Sequence, residues 1–200
     1  MYTYGYLFYL PVNFAFIIIW GTNGLLKKRR KEYFLYAAIL ILYLNFLINK
    51  AFFPLFISGS QHYTGIIKYM NFSISTLFHY NLYQIAGNLL LTFPIGFFLP
   101  FVINCRQKAR IIYSILFSIS IEFIQLALIG VFHIVNMTFD INDIILNVTG
   151  CVMGNIIFKY MCKIYTKIPT SATLGTTAKY FNQVCDNCAY DRKSLSGVDI

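Results

Sequence analysis

The chain has 200 residues, of which 58% are apolar and only 12% charged, with a formal net charge of +9 and a mean hydropathy of +0.63. So little polar surface cannot cover a soluble globule of this length, and the composition also excludes disordered, collagenous and disulfide-scaffold chains, so the sequence predicts an all-α integral membrane protein. The positive charge does not point to nucleic acid, because Lys27, Lys28, Arg29, Arg30 and Lys31, then Arg106, Lys108 and Arg110, then Lys159, Lys163 and Lys167 stand between apolar segments, as basic residues of cytoplasmic loops do.

Gly5 to Leu26 is uncharged and long enough for a first span. Its basic block follows the apolar run instead of preceding it, so a retained helix is expected, not a cleaved signal peptide. Tyr33 to Ile57 supplies a second span whose membrane core ends near Asn49, before Lys50 and Pro54. Residues 1–57 thus read as two helices joined by a basic loop. Residues 58–83, rich in Tyr, Phe, Ser and Asn with Lys68 the sole charge, read as an extracytoplasmic or interfacial loop. Ile85 to Ile103, Ile111 to about Phe132 and Ile144 to Tyr160 supply three more spans, which form a three-helix core over 84–167. From Ile168 the composition turns polar, and residues 168–200 are expected to be a flexible cytoplasmic tail. About five transmembrane helices result. Setting the three basic blocks on one side leaves only Lys50 and Lys68 on the other, which puts the N-terminus outside and the C-terminus inside a cell membrane.

The informative residues are the polar ones a bilayer disfavours. Glu122 lies near the middle of the fourth span, where an ionisable group costs about 2.5 to 3.5 kcal/mol or more, and Ser118 and Gln125 share its helical face. Asp143, Asn147, Gly150 and Gly154 recur at intervals of four, three and four, the period of one helical stripe, and Asp140 extends it outward. The two glycines invite close helix approach, while the carboxylates sit at a helix start whose dipole favours them. The third span places Asn88 and Thr92 above Pro94, Gly96 and Pro100, and a proline frees a carbonyl one turn earlier, a feature that suits a cavity lining at membrane depth. Asn88, Glu122, Gln125, Asp140, Asp143 and Asn147 form the candidate polar site in the outer half of the bundle, with Pro94, Gly96, Gly150 and Gly154 assigned to packing.

Other readings stand beside this one. The cluster can serve purely as helix glue, with Asp140 capping a helix; Glu122 can act as a relay in a transporter; Glu122 and Asp143 can form an acid pair. No nucleophile elbow, phosphate-cradling loop or zincin helix occurs, so no reaction is identified and no cofactor or metal is expected. Cys185 and Cys188 form a lone Cys-x-x-Cys without further metal ligands, Cys105, Cys151 and Cys162 read as small apolar fillers, and His62, His79 and His133 lack ligand spacing. The Tyr and Phe abundance reads as lipid contact and interfacial anchoring.

Three motifs, Asn88-Leu89-Leu90-Leu91-Thr92-Phe93-Pro94-Ile95-Gly96-Phe97, Ser120-Ile121-Glu122-Phe123-Ile124-Gln125 and Phe139-Asp140-Ile141-Asn142-Asp143-Ile144-Ile145-Leu146-Asn147-Val148-Thr149-Gly150 with Gly154, stand in that order. Over about Gln84 to Tyr160 the chain resembles the VanZ-like family of small multi-pass membrane proteins. It departs from the family's pattern at Met137, where an Arg is usual, and at Asn142, where a second acid is usual. The resemblance implies an association with low-level resistance to the glycopeptide teicoplanin, without a defined reaction. The partners it suggests are membrane lipids and either a lipid-linked envelope precursor or a lipoglycopeptide. The rival reading is a non-enzymatic accessory or structural membrane subunit.

Overall fold

Long runs of Ile and Leu become helices here because, in lipid, each backbone N–H and C=O must be satisfied within its own segment. The computed structural model describes residues 5–53, 55, 65–103, 107–165 and 175–196, with side chains described at 14–53, 55, 65–103, 108–165 and 175–187. The readings of Cys105, His62 and the Cys188 thiol lie outside the described residues. The helices are α1 (Gly5–Leu26), α2 (Lys31–Phe52), α3 (Leu82–Val102), α4 (Gln107–Phe132), α5 (Ile141–Tyr165) and α6 (Thr176–Ser196). Lys31–Phe52, Leu82–Val102, Lys108–Phe132 and Ile141–Tyr165 are long and apolar enough to cross a membrane, and Phe14–Leu26 is a shorter apolar helix. Leu42, Leu90, Leu116 and Phe123 stand mostly exposed on these helices; such surface suits lipid and not water. The chain is an all-α membrane protein.

The tightest pairing joins α3 to α5. A Cβ added at Gly96 would overlap the Cys151 carbonyl, one at Gly150 the Leu89 carbonyl and the Thr92 hydroxyl, and one at Gly154 the Phe93 carbonyl. Backbone therefore meets backbone along three turns, the arrangement that substitutes for a hydrophobic driving force between helices in lipid. Asn81 starts α3 with a reciprocal capping box, its Oδ1 accepting from Gln84 N–H at 2.8 Å and its own N–H donating to Gln84 Oε1 at 3.2 Å. Pro94 removes the donor that Leu90 C=O would have used. The freed carbonyl finds a donor in the neighbouring helix: the Tyr43 hydroxyl of α2 donates to Leu90 O at 3.2 Å and also to Leu91 O.

Two regions differ from their sequence reading. The described part of the loop before α3 has ordered structure of its own. It forms 3-10 turns at Ile66–Tyr69 and Ile74–His79 around β1 (Met70–Asn71), which pairs in parallel with β2 (Phe139–Asp140), Met70 opposite Phe139 and Asn71 opposite Asp140. The expected flexible tail instead contains α6, docked where α2 begins and where α3 and α5 end. Its Tyr180 hydroxyl donates to Phe101 O at 2.6 Å, Tyr36 and Tyr180 flank one another with centroids 5.8 Å apart, and Phe181 packs on Phe101 and Tyr165. A disulfide joins Cys162 to Cys185, with Cα atoms 5.3 Å apart. Cys162 is thus a cross-link and not a filler, and Cys185 is committed to it instead of to a Cys-x-x-Cys pair. Part of the aromatic content is likewise interior: Tyr36 stacks on Phe101 at 4.2 Å.

Candidate functional site

One face of α4 is polar at a period of four. Arg110, Ser114, Ser118 and Glu122 are all at most 1% exposed, and the two serines donate to the carbonyls one turn back, Ser114 to Arg110 O and Ser118 to Ser114 O, both at 2.9 Å. This stripe delivers Glu122 to the interior beside the start of α5. There a Glu122 carboxylate oxygen accepts the Asp140 backbone N–H at 3.1 Å. Burial of a carboxylate requires such donors.

Asp140 is held from four directions. One oxygen accepts from the Asn142 N–H and from the Asn142 amide, both at 2.8 Å, which caps the first turn of α5. The other accepts from Asn71 Nδ2 at 2.7 Å and from the Tyr80 hydroxyl at 2.6 Å. Burial and the Asp140 carboxylate hold the Tyr80 hydroxyl well above the ordinary phenol range, so it remains a donor at any physiological pH. The Asn142 amide also donates to Ser73 O at 2.9 Å and Thr76 Oγ1 at 2.7 Å. The β1–β2 pairing is what brings Asn71, Ser73, Thr76 and Tyr80 to the acids.

Asp143 lies one turn further along α5 and accepts from Asn88 Nδ2 of α3 at 2.6 Å. Asn147 is joined to α3 through its backbone, its carbonyl accepting from Thr92 Oγ1 at 2.7 Å. Two acceptors at this end, Asn142 Oδ1 and Asn147 Oδ1, are buried without a hydrogen-bond partner. Gln125 turns elsewhere: its amide donates to Ala51 O at 2.9 Å, tying α4 to the end of α2. Between these groups lies a cavity of about 340 Å³ lined by Lys50, Gln125, Asn136, Met137, Thr138 and Asp143, among others.

The structure therefore gathers Glu122, Asp140, Asp143 and Asn88 into one network, sets Gln125 and Asp143 on one cavity, and leaves Asn147 on the α3–α5 seam. The candidate site read from sequence did not include Asn71, Thr76, Tyr80, Asn142 or Lys50. The recurrence of Arg110, Ser114 and Ser118 at intervals of four before Glu122 was a usable signal for the stripe. Nothing local in residues 58–83 announced their long-range partners. Lys50 of α2 and Met137 line the same cavity. Among the described residues no group of three or more His, Cys, Asp or Glu is arranged to hold a metal ion.

Long apolar helices that bury a carboxylate against the capped start of a neighbouring helix define a multi-pass membrane protein with a buried acidic cluster. A family model described as VanZ/LLP1 matches residues 34–163. The chain belongs to the VanZ/LLP1 family. The match reaches beyond the Gln84–Tyr160 resemblance and takes in nearly all of α2, the helix that carries Tyr43 and Lys50. Searches of curated proteins and of solved structures returned no match.

Proposed function

We propose that the acidic end of the bundle receives the polar head of a lipid-tailed envelope component, either a lipid-linked precursor or a lipoglycopeptide of the teicoplanin type, at the outer face of the cell membrane. The carrying observation is the cavity of about 340 Å³ between Lys50 and Asp143. Its volume lies in the range of small-molecule sites, it lies where α2 ends and α5 begins, and its lining includes one cation, Lys50, and one carboxylate, Asp143. The outward orientation rests on the basic residues at the opposite end.

The test is susceptibility to teicoplanin in a sensitive host expressing the wild type, Asp143→Ala or Lys50→Gln at matched membrane abundance. Reduced susceptibility with the wild type and its loss in either variant is expected; equal susceptibility in all strains overturns the resistance reading.

A second reading has its own support. Asp140 uses both oxygens within the protein, and Glu122 accepts an internal N–H, as a purely architectural cluster in an accessory subunit would. Variants at Glu122 that deplete the protein, beside Lys50→Gln and Asp143→Ala variants that accumulate normally and leave every phenotype unchanged, favour that reading.

A further inference from the structure

The cavity of about 340 Å³ carries one charged group of each sign among its described lining residues, Lys50 and Asp143. They do not pair with each other. Asp143, in the first turn of α5, accepts from Asn88 Nδ2 at 2.6 Å, and the Lys50 ammonium stands 5.9 Å from the centre of the Phe46 ring. Asp140 and Glu122 belong to the same end of the bundle, but their oxygens accept from Asn71, Tyr80, Asn142 and the Asp140 N–H, and neither lines the cavity. Gln125 and Thr138 add neutral polar walls, and Phe52 and Met137 apolar ones.

A cavity whose lining charges cancel has no net attraction for an anion or for a cation: a singly charged head gains one contact and sets its charge against the other group. A head with a positive and a negative group a few bonds apart satisfies both, through a charge-assisted hydrogen bond at each end. The volume is that of a site for a small molecule and not for a lone ion. Resting on the reading of this cavity as a headgroup site, we infer that its ligand is a zwitterionic head, with its ammonium on Asp143 and its anionic group on Lys50. A zwitterionic phospholipid and the same head free in solution are the two sources of that chemistry.

The experiment uses the full-length protein in neutral detergent and reads thermal stabilisation by three probes: dioctanoyl phosphatidylethanolamine, dioctanoyl phosphatidylglycerol, which has the phosphate without an amine, and glycerophosphoethanolamine, which has the head without tails. The variants are Lys50→Gln, at an exposed position, and Asp143→Asn, which keeps an acceptor for Asn88. The wild type is expected to bind phosphatidylethanolamine about tenfold more tightly than phosphatidylglycerol, the worth of one charge-assisted contact. Asp143→Asn is expected to abolish that difference by weakening phosphatidylethanolamine alone, and Lys50→Gln to weaken both lipids about tenfold; a loss of packing would not separate two lipids that share their tails. Tighter binding of phosphatidylethanolamine than of glycerophosphoethanolamine assigns a lipid, and equal binding assigns the free head. Phosphatidylglycerol bound as tightly as phosphatidylethanolamine by the wild type, or a preference that survives Asp143→Asn, overturns the zwitterion and leaves the headgroup reading standing. Unchanged affinity for both lipids in Lys50→Gln, a variant that leaves the Asp143 contacts in place, overturns it as well. No response to any probe also overturns it, and the teicoplanin test then decides the headgroup reading on its own.

Discussion

Glu122 accepts the backbone N–H of Asp140 at 3.1 Å across 18 residues of chain, so the carboxylate in the middle of α4 is bonded to the residue that caps α5. The acid that looks most costly in the sequence thereby fixes the entry of the next helix. Removing it leaves a buried N–H without an acceptor, at about 1–3 kcal/mol. Glu122→Ala is expected to lower the thermal midpoint in detergent by that margin, and Glu122→Gln, which keeps an acceptor, by clearly less. Equal losses in the two variants would show that charge, not acceptor geometry, holds the contact.

The α3–α5 seam gives a sharper contrast. Gly96→Ala drives a methyl into the Cys151 carbonyl, where only backbone can yield, so loss of monodisperse protein is expected. Gly87→Ala on the same helix meets nothing within 4 Å and is expected to be neutral or stabilising by up to about 1 kcal/mol through helix propensity. Size-exclusion profiles of the two variants check this.

Tyr43→Phe removes the hydroxyl that serves the carbonyls of Leu90 and Leu91. A carbonyl freed by Pro94 and denied its donor in lipid is expected to cost about 1–3 kcal/mol, read as a lowered thermal midpoint. Substituting Pro94 by Ala in the same chain restores an intrahelical donor and should recover part of that loss.

The Cys162–Cys185 bridge spans 23 residues of sequence, and closing such a loop stabilises by about 3 kcal/mol in the chain-entropy view. Reduction of the purified protein is expected to expose α6 to protease while α2 to α5 remain protected. The bridge also tests orientation. With the basic end in the cytoplasm, a reducing compartment, acid-quenched cells should yield both thiols free and open to alkylation, with the disulfide appearing on purification in air. A bridge already formed in intact cells would turn the basic end outward and move the acidic cavity away from envelope ligands.

Much of the candidate site was legible because a bilayer makes polarity conspicuous. Glu122 stood alone in an apolar run, and Asp143 with Asn147 and the two glycines kept one helical period. Gln125 lines the cavity with Asp143, but its amide reaches Ala51 O instead of the acids, a partner that its helical face did not announce. Asn71 and Tyr80 were illegible because hydrogen bonds that cross 60 to 69 residues leave no period behind.

The sequence by itself determined that the chain lives in a membrane, where its four long apolar helices fall and which polar residues must turn inward, because hydrophobicity and helical period are local properties. Only the tertiary structure decided that the loop before α3 folds onto Asp140, that Lys50 lines one cavity with Asp143, and that the polar tail contains a helix bonded through Cys185. Each of these depends on segments distant in sequence arriving at one place, and that is set by the backbone contact of α3 with α5 and the β1–β2 pairing, not by any residue's own preference.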